Sequence, residues 1–138
     1  MSVFTDIGAA LDDNLNGMTG KPPIAWENVP YTPVTGTLYA RATNLFGDTN
    51  QSSLGTTGED ETNGVYQVDV FSQAGKGKSE ANNMADRIAD QFKRGTDLTY
   101  NGLTVRVRSA SRGAARTSEG WYHIPVIINY YAITQARS

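Results

Sequence analysis

Three groups of side chains have types and spacings that chemistry requires, and the first is the run Gly77-Lys78-Ser79. It follows a predicted strand and precedes a predicted helix, as a phosphate-binding loop does. Such a loop needs another glycine five residues before Gly77, and that position is occupied by Ser72. Because the surrounding pattern also lacks the parallel strand–helix–strand context, it favours a flexible entry into a helix over nucleotide hydrolysis.

The second group consists of the carboxylates of Glu59, Asp60 and Glu61. Acid–base catalysis needs carboxylates that are rigid and partly desolvated, whereas these lie in a polar segment. The single histidine, His123, has no serine or acid at a recognisable catalytic spacing. The absence of cysteine excludes thiolate and iron–sulfur chemistry, and one histidine excludes a multi-histidine metal centre. We therefore expect no enzyme activity, no metal and no cofactor.

The third group is basic and comprises Arg106, Arg108, Arg112 and Arg116. The first two are predicted to share one face of a strand. Arginines of this kind can bind nucleic acid phosphates. The acidic overall charge and the scarcity of aromatic residues that would stack bases favour a solvated face or, less strongly, a subunit contact. A small nucleic-acid-binding module stays open as an alternative function.

Charge is distributed unevenly along a chain whose net charge is only −2. Residues 1–75 hold nine acids and two bases, a net −7, and residues 76–138 hold five acids and ten bases, a net +5. This asymmetry suggests an electrostatic partner, or an internal pairing if the two halves pack together. The length predicts a single domain over residues 1–138. No apolar run is long enough to cross a membrane, and Met1–Gly17 carries acids where a signal peptide needs bases.

The periodicity of apolar residues predicts the order helix, strand, strand, helix, hairpin, strand. The predicted elements are a helix over Ser2–Leu15, strands over Thr37–Phe46 and Gly64–Ser72, a helix over Ser79–Phe92, a hairpin of Leu98–Tyr100 and Leu103–Val107 around Asn101-Gly102, and a strand over Trp121–Thr134. This order predicts an α+β fold, with a mostly antiparallel sheet of about five strands and two helices packed on one face.

Two segments outside these elements, and one face of the last strand, complete the predicted organisation of the chain. The polar residues 47–63 predict a flexible loop, and residues 135–138 a mobile tail. On the last strand, one face is predicted to join the core, with the alternating residues Tyr122, Ile124, Val126, Ile128 and Tyr130.

The segment Pro22–Pro33 contains four of the five prolines and must run extended, because proline disfavours helix at its own position and the one before it. Its apolar residues exceed the needs of a linker, so we predict that Trp26 and Tyr31, with Trp121 of the last strand, are structural anchors. Replacing Trp26 by alanine should then cost about 3–5 kcal/mol. A negligible effect would indicate a plain linker or a subunit contact.

The order of several motifs resembles that of the tail terminator proteins of long-tailed bacteriophages, the lambda gpU-like family. The resemblance extends from about Ile7 to Tyr131. The motifs that carry it are Ile24–Pro33, Gly64–Phe71, Gly75–Gly77, Phe92–Thr96, Val105–Val107 and Gly120–Val126.

The resemblance implies a structural virion protein that is assembled in the host cytoplasm. Such a protein forms a hexameric ring at the head-proximal end of the tail tube, stops tube polymerisation and docks the head-completion connector, while DNA passes through its lumen without specific binding. The oppositely charged halves would supply the two surfaces of a ring contact. The interface candidates are the arginine run and the acidic triplet Glu59–Glu61. The acidic triplet could face the lumen, the tube or the outside of the ring. A neck or head-completion protein is the alternative.

Overall fold

The computed structural model describes residues 3–51, 59–75 and 78–135. Two helices and seven strands form in this part of the chain. The helices are α1 (Val3–Asn16) and α2 (Ser79–Gln91), and the strands are β1 (Ile24–Ala25), β2 (Tyr39–Gln51), β3 (Glu59–Gln73), β4 (Asp97–Tyr100), β5 (Leu103–Arg112), β6 (Arg116–Ser118) and β7 (Trp121–Gln135).

The strands form one sheet in the order β1-β2-β3-β7-β5-β4, and β6 pairs with the beginning of β7. All pairings are antiparallel except that of β1 with β2. The α+β prediction is confirmed, but the number of strands is seven and not about five. The two additional strands, β1 and β6, have two and three residues, which is too short for a periodic pattern to reveal.

The prediction of a loop over residues 47–63 is wrong for the described residues at both of its ends. Strand β2 continues to Gln51, β3 begins at Glu59, and the two pair there, with Thr49 opposite Thr62. A run of polar residues predicts a loop, but a strand that extends beyond the hydrophobic core needs no apolar alternation. Residues 52–58 lie outside the described part of the chain, as do 136–138 of the predicted tail.

The core lies between one face of the sheet and both helices. Its largest fully buried side chains come from both layers: Ile7, Leu11, Leu15, Ile88 and Phe92 from or beside the helices, and Tyr66, Val68, Val70, Val105, Ile124, Ile128 and Tyr130 from the strands. The predicted core face of β7 is confirmed, with Tyr122 half-buried against the cluster. Burial of this size explains why the alternation along β3 and β7 fixes their register.

Two tight turns close the hairpins of the second half. In the β4–β5 turn, Asn101 and Gly102 have φ of 50° and 84°, the pair of positive values that a type I′ hairpin turn requires. The hairpin predicted from the Asn-Gly pair is therefore confirmed. Glu119 and Gly120, with φ of 51° and 85°, form the corresponding turn between β6 and β7.

The proline-rich segment lies along the outer edge of β2. Ile24 pairs in parallel with Ala40, whose amide donates to the Pro23 carbonyl oxygen at 2.9 Å. Trp26 is half-buried against the core, and the Tyr31 ring lies 5.1 Å from the ring of Tyr39. The segment is thus docked on the sheet and is not a free linker.

Candidate functional site

The sheet face opposite the helices carries a stack of three rings on adjacent strands. The register places Tyr39 of β2 beside Phe71 of β3, and Phe71 beside His123 of β7. Their ring centroids are 4.8 Å and 4.7 Å apart, and the planes are nearly parallel, at 14° and 9°. Trp121 meets Tyr39 edge-on at 5.3 Å. These contacts make a rigid aromatic wall at one end of the strands.

Next to this wall, the carboxylate of Asp69 is almost completely buried and accepts several hydrogen bonds. It accepts hydrogen bonds from Nε2 of His123 at 2.7 Å and from Nε2 of Gln67 at 2.8 Å. A guanidinium nitrogen of Arg41 donates a longer one, at 3.5 Å. Because a carboxylate only accepts, Nε2 of His123 carries a proton. Its Nδ1 is then free to accept from Nε of Arg116 at 3.5 Å.

These residues border a cleft of about 440 Å³. We call it the arginine–aromatic cleft and define it by its lining residues, Pro33, Tyr39, Arg41, Phe71, Arg116, Glu119, Trp121 and His123. A second hollow of about 400 Å³ lies between the proline-rich segment and β2 and shares three of them, Pro33, Tyr39 and Arg41.

The two guanidinium groups of the cleft have spare hydrogen-bond donors. The Arg41 side chain is 54% exposed, and its guanidinium carbon lies 5.1 Å from the Phe71 ring centroid, in cation–π contact. Among the described residues, no carboxylate oxygen lies within 4.0 Å of Arg116. Since a guanidinium offers five donors in a planar fork, the cleft can bind a carboxylate or a similar planar anion.

The remaining arginines of the predicted run are bound within the chain. Arg106 holds Asp97 through two hydrogen bonds, of 2.7 and 2.9 Å, and these lower the pKa of the Asp97 carboxyl. Arg108 donates to Glu61 at 3.2 Å and stacks on the Tyr131 ring at 4.1 Å. Each of these arginines already has an acidic partner in its own chain.

Arg112 likewise lies 3.4 Å from Asp86 and donates to Asn82 at 2.6 Å. The run therefore does not form one basic surface, and only Arg116 reaches the cleft. A bulge between Val107 and Ser109 contributes to this division, because it interrupts the alternation of β5.

The acidic triplet lies at the other end of β3 from the cleft. Glu59 is the first residue of the strand and Phe71 is the thirteenth, so the two are about 40 Å apart at roughly 3.3 Å per residue. Within the triplet, Glu61 is held by Arg108. No local sequence signal predicts that Tyr39, Arg41 and Phe71 meet, because their contact depends on the pairing of β2 with β3.

Of the three predicted anchors, Trp26 packs on the core. The rings of Tyr31 and Trp121 both contact the ring of Tyr39. Trp121 also lines the cleft. In the described part of the chain, no group of three or more metal-binding side chains occurs. The same part contains no helix that is long and apolar enough to span a membrane.

Two helices packed on one face of a mostly antiparallel sheet place the chain in the α+β class. Residues 6–130 match the family model described as phage tail terminator protein, so the chain belongs to the phage tail terminator family. It is accordingly a structural protein of the virion and not an enzyme. No curated protein matches the chain at a significant level.

Two solved structures share the fold. One, known only by a serial label, is 25% identical, with 99% of this chain and 96% of that chain covered and a TM-score of 0.71. The other is a chain from a "virion of native gene transfer agent (GTA) particle", which is 19% identical, with 98% of both chains covered and a TM-score of 0.58. At that identity, the second similarity indicates the fold alone.

Proposed function

We propose that the protein forms a hexameric ring at the head-proximal end of the phage tail tube. The ring stops the polymerisation of the tube protein and provides the surface on which the head-completion connector docks. The observation that carries this proposal is the match to the tail terminator family over residues 6–130. The same match favours a terminator over a neck or head-completion protein.

The distribution of charge over the sheet supports a head-to-tail ring, which needs two different and complementary surfaces on each subunit. Strands β1 to β3 come from the half with net charge −7, and β4 to β7 from the half with net charge +5. The two groups lie on opposite sides of the β3–β7 pairing. Helix α1 belongs to the acidic half but packs against β4 and β5, so the separation of charge applies to the strands.

Internal pairing between the halves accounts for little of this charge. Among the described residues, the ion pairs that join one half to the other are Arg108 with Glu61 and His123 with Asp69. Apart from these two pairs, the charged side chains that the structure describes have no ion-pair partner in the other half, which favours their use in contacts between subunits. The intrachain partners of Arg106, Arg108 and Arg112 also argue against an arginine surface for nucleic acid, which supports a lumen that DNA passes without specific binding.

Electron microscopy of the purified protein with and without tail tubes tests this function. We expect six-fold rings at one end of each tube, and tubes that stop growing when the protein is added to polymerising tube protein. Bovine serum albumin at the same concentration serves as the control for crowding. Protein that stays monomeric and leaves the length of the tubes unchanged would contradict the proposal.

A further inference from the structure

We propose that the arginine–aromatic cleft binds an acidic peptide segment of a partner protein, in which an apolar residue stands next to a glutamate or aspartate. The carboxylate of the segment binds Arg41 and Arg116, and its apolar side chain occupies the adjoining hollow beside the proline-rich segment. This inference goes beyond the proposed ring and does not depend on it, because it concerns a groove within one subunit.

The hydrogen-bond capacity of the two arginines indicates the chemistry of the ligand. Among the described residues, the guanidinium of Arg116 donates only to the ring of His123, and that of Arg41 only to Asp69, both at the long distance of 3.5 Å. Asp69 is buried and already accepts from His123 and Gln67. Both guanidinium groups can therefore donate to a carboxylate that arrives from outside.

The shape of the surface favours an extended chain over a compact ligand. The cleft of about 440 Å³ and the hollow of about 400 Å³ share Pro33, Tyr39 and Arg41, so they adjoin at these residues. The hollow is also lined by the rings of Trp26 and Tyr31. A peptide can thus place its carboxylate in the cleft and a neighbouring apolar side chain against these rings.

Two carboxylates of the chain limit the charge that the groove accepts. Glu27 lines the hollow, where it accepts a hydrogen bond from the amide of Asn44 at 2.6 Å, and Glu119 lines the cleft. Neither lies within 4.0 Å of a guanidinium nitrogen of Arg41 or Arg116. Because like charges repel, they disfavour the closely spaced phosphates of nucleic acid. The groove is therefore suited to a single carboxylate beside an apolar residue.

Both walls of the groove are held in place by contacts that need no ligand. The stacked rings of Tyr39, Phe71 and His123 form one wall. The pairing of Ile24 with Ala40 holds the proline-rich segment, which forms the other wall, on the sheet. A groove that is already formed lowers the entropic cost of binding.

The test uses side chains that report on each end of the groove. The chain contains two tryptophans and one histidine. Trp121 and His123 line the cleft, and Trp26 lines the hollow. Their indole and imidazole signals in NMR spectra of the full chain therefore report on the two ends separately. The probe is the blocked peptide acetyl-Gly-Leu-Phe-Glu-Gly-amide, and the matched control peptide has glutamine in place of glutamate.

We expect the glutamate peptide to shift the signals of all three reporters and to bind about tenfold or more tightly than the glutamine peptide, because hydrogen bonds to a charged group are the stronger ones. Arg41→Gln and Arg116→Gln should each reduce this preference, and the double variant should abolish it. Arg94→Gln is the matched control, since Arg94 is exposed and lines neither hollow, and it should keep the preference. Circular dichroism and thermal unfolding show that each variant is folded.

Several outcomes would overturn the inference. These are equal affinity for the two peptides, no binding of either, or binding that leaves the signals of Trp121 and His123 unchanged. Larger shifts of these signals with inorganic phosphate or duplex DNA than with the glutamate peptide would assign the cleft to a phosphate ligand instead. Signals of Trp121 and His123 that change with protein concentration and do not respond to the peptide would assign it to a second copy of the chain.

The result is separable from that of the proposed function, because rings and capped tubes are detected by electron microscopy without the peptide. Rings from a protein that does not bind the glutamate peptide overturn this inference alone. Peptide binding by a protein that never forms rings supports this inference and contradicts the proposed function.

Discussion

Replacing Gly64 by alanine should destabilise the fold, although alanine usually suits a strand better than glycine does. Gly64 lies in β3 opposite Tyr130 of β7, and the Tyr130 ring leans over it. A Cβ at this position would be 2.4 Å from the Tyr130 hydroxyl oxygen and 2.6 Å from Cζ. Since carbon atoms prefer separations of about 3.5–4.0 Å, the ring would have to move by roughly 1 Å.

The cost of that movement can be estimated from what it disturbs. Tyr130 is fully buried, so it has little room to shift, and overpacking of a core costs about 1–3 kcal/mol. The shift would also strain the hydrogen bond that the Tyr130 hydroxyl donates to Asn44 at 2.7 Å, worth about 0.5–1.5 kcal/mol. The sum is a loss of about 1.5–4.5 kcal/mol in the free energy of unfolding. For a domain of this size, Tm would fall by about 5–16 °C.

Urea unfolding of a double-mutant cycle tests the reasoning. In a Tyr130→Leu background, the clashing atoms are absent, so Gly64→Ala should be neutral or stabilising by up to about 1 kcal/mol. Gly17→Ala is a matched control, because its Cβ would have ordinary contacts at 3.4 Å and 3.8 Å. Equal destabilisation by Gly64→Ala in both backgrounds, or none in the wild type, would refute the proposed clash.

Two further changes test the packing of the first half. Burial raises the pKa of the Asp12 carboxyl, outweighing the hydrogen bond from Tyr66, and Glu27 adds to the increase. A raised folded-state pKa means that the carboxylate disfavours folding at neutral pH and that this penalty disappears as the pH falls through that pKa. Asp12→Asn should therefore be more stable than the wild type at pH 7, by a margin that shrinks towards pH 4 in urea unfolding; a constant margin would contradict this. Trp26→Ala should cost about 2–4 kcal/mol in the same assay, because Trp26 is only half-buried on the core, whereas Val29→Ala, at a residue 56% exposed, should change little.

Local signals account for the parts of the fold that the sequence predicted well. The helix α2 begins at Ser79 as expected, and the Asn101-Gly102 turn forms as its dipeptide requires. The alternation of β7 identified its buried face. In each case, the information lies within a few residues along the chain.

The errors arose where a neighbouring strand decides the outcome. Polar residues at the start of β3 form a strand because β2 and β7 pair with them on both sides, from Glu59 opposite Gln135 onward. In the same way, Arg106 and Arg108 are exposed on β5, but their partners Asp97 and Glu61 come from β4 and β3. A sequence shows which side chains carry charge, whereas the pairing of the strands determines which of them have an ion-pair partner within the chain.

The cleft was not predicted, and its geometry follows from the core on the other face of the sheet. In β3, Val68 and Val70 point into the core, so Asp69 and Phe71 must point to the opposite face. A register shift of one residue would expose the valines and bury the aromatic wall, which makes such a shift very costly. The core therefore holds the cleft in one geometry without contributing a side chain to it. Side chains that line the cleft can for this reason be changed while the fold persists, so the stability of the fold and the binding properties of the cleft can be measured separately.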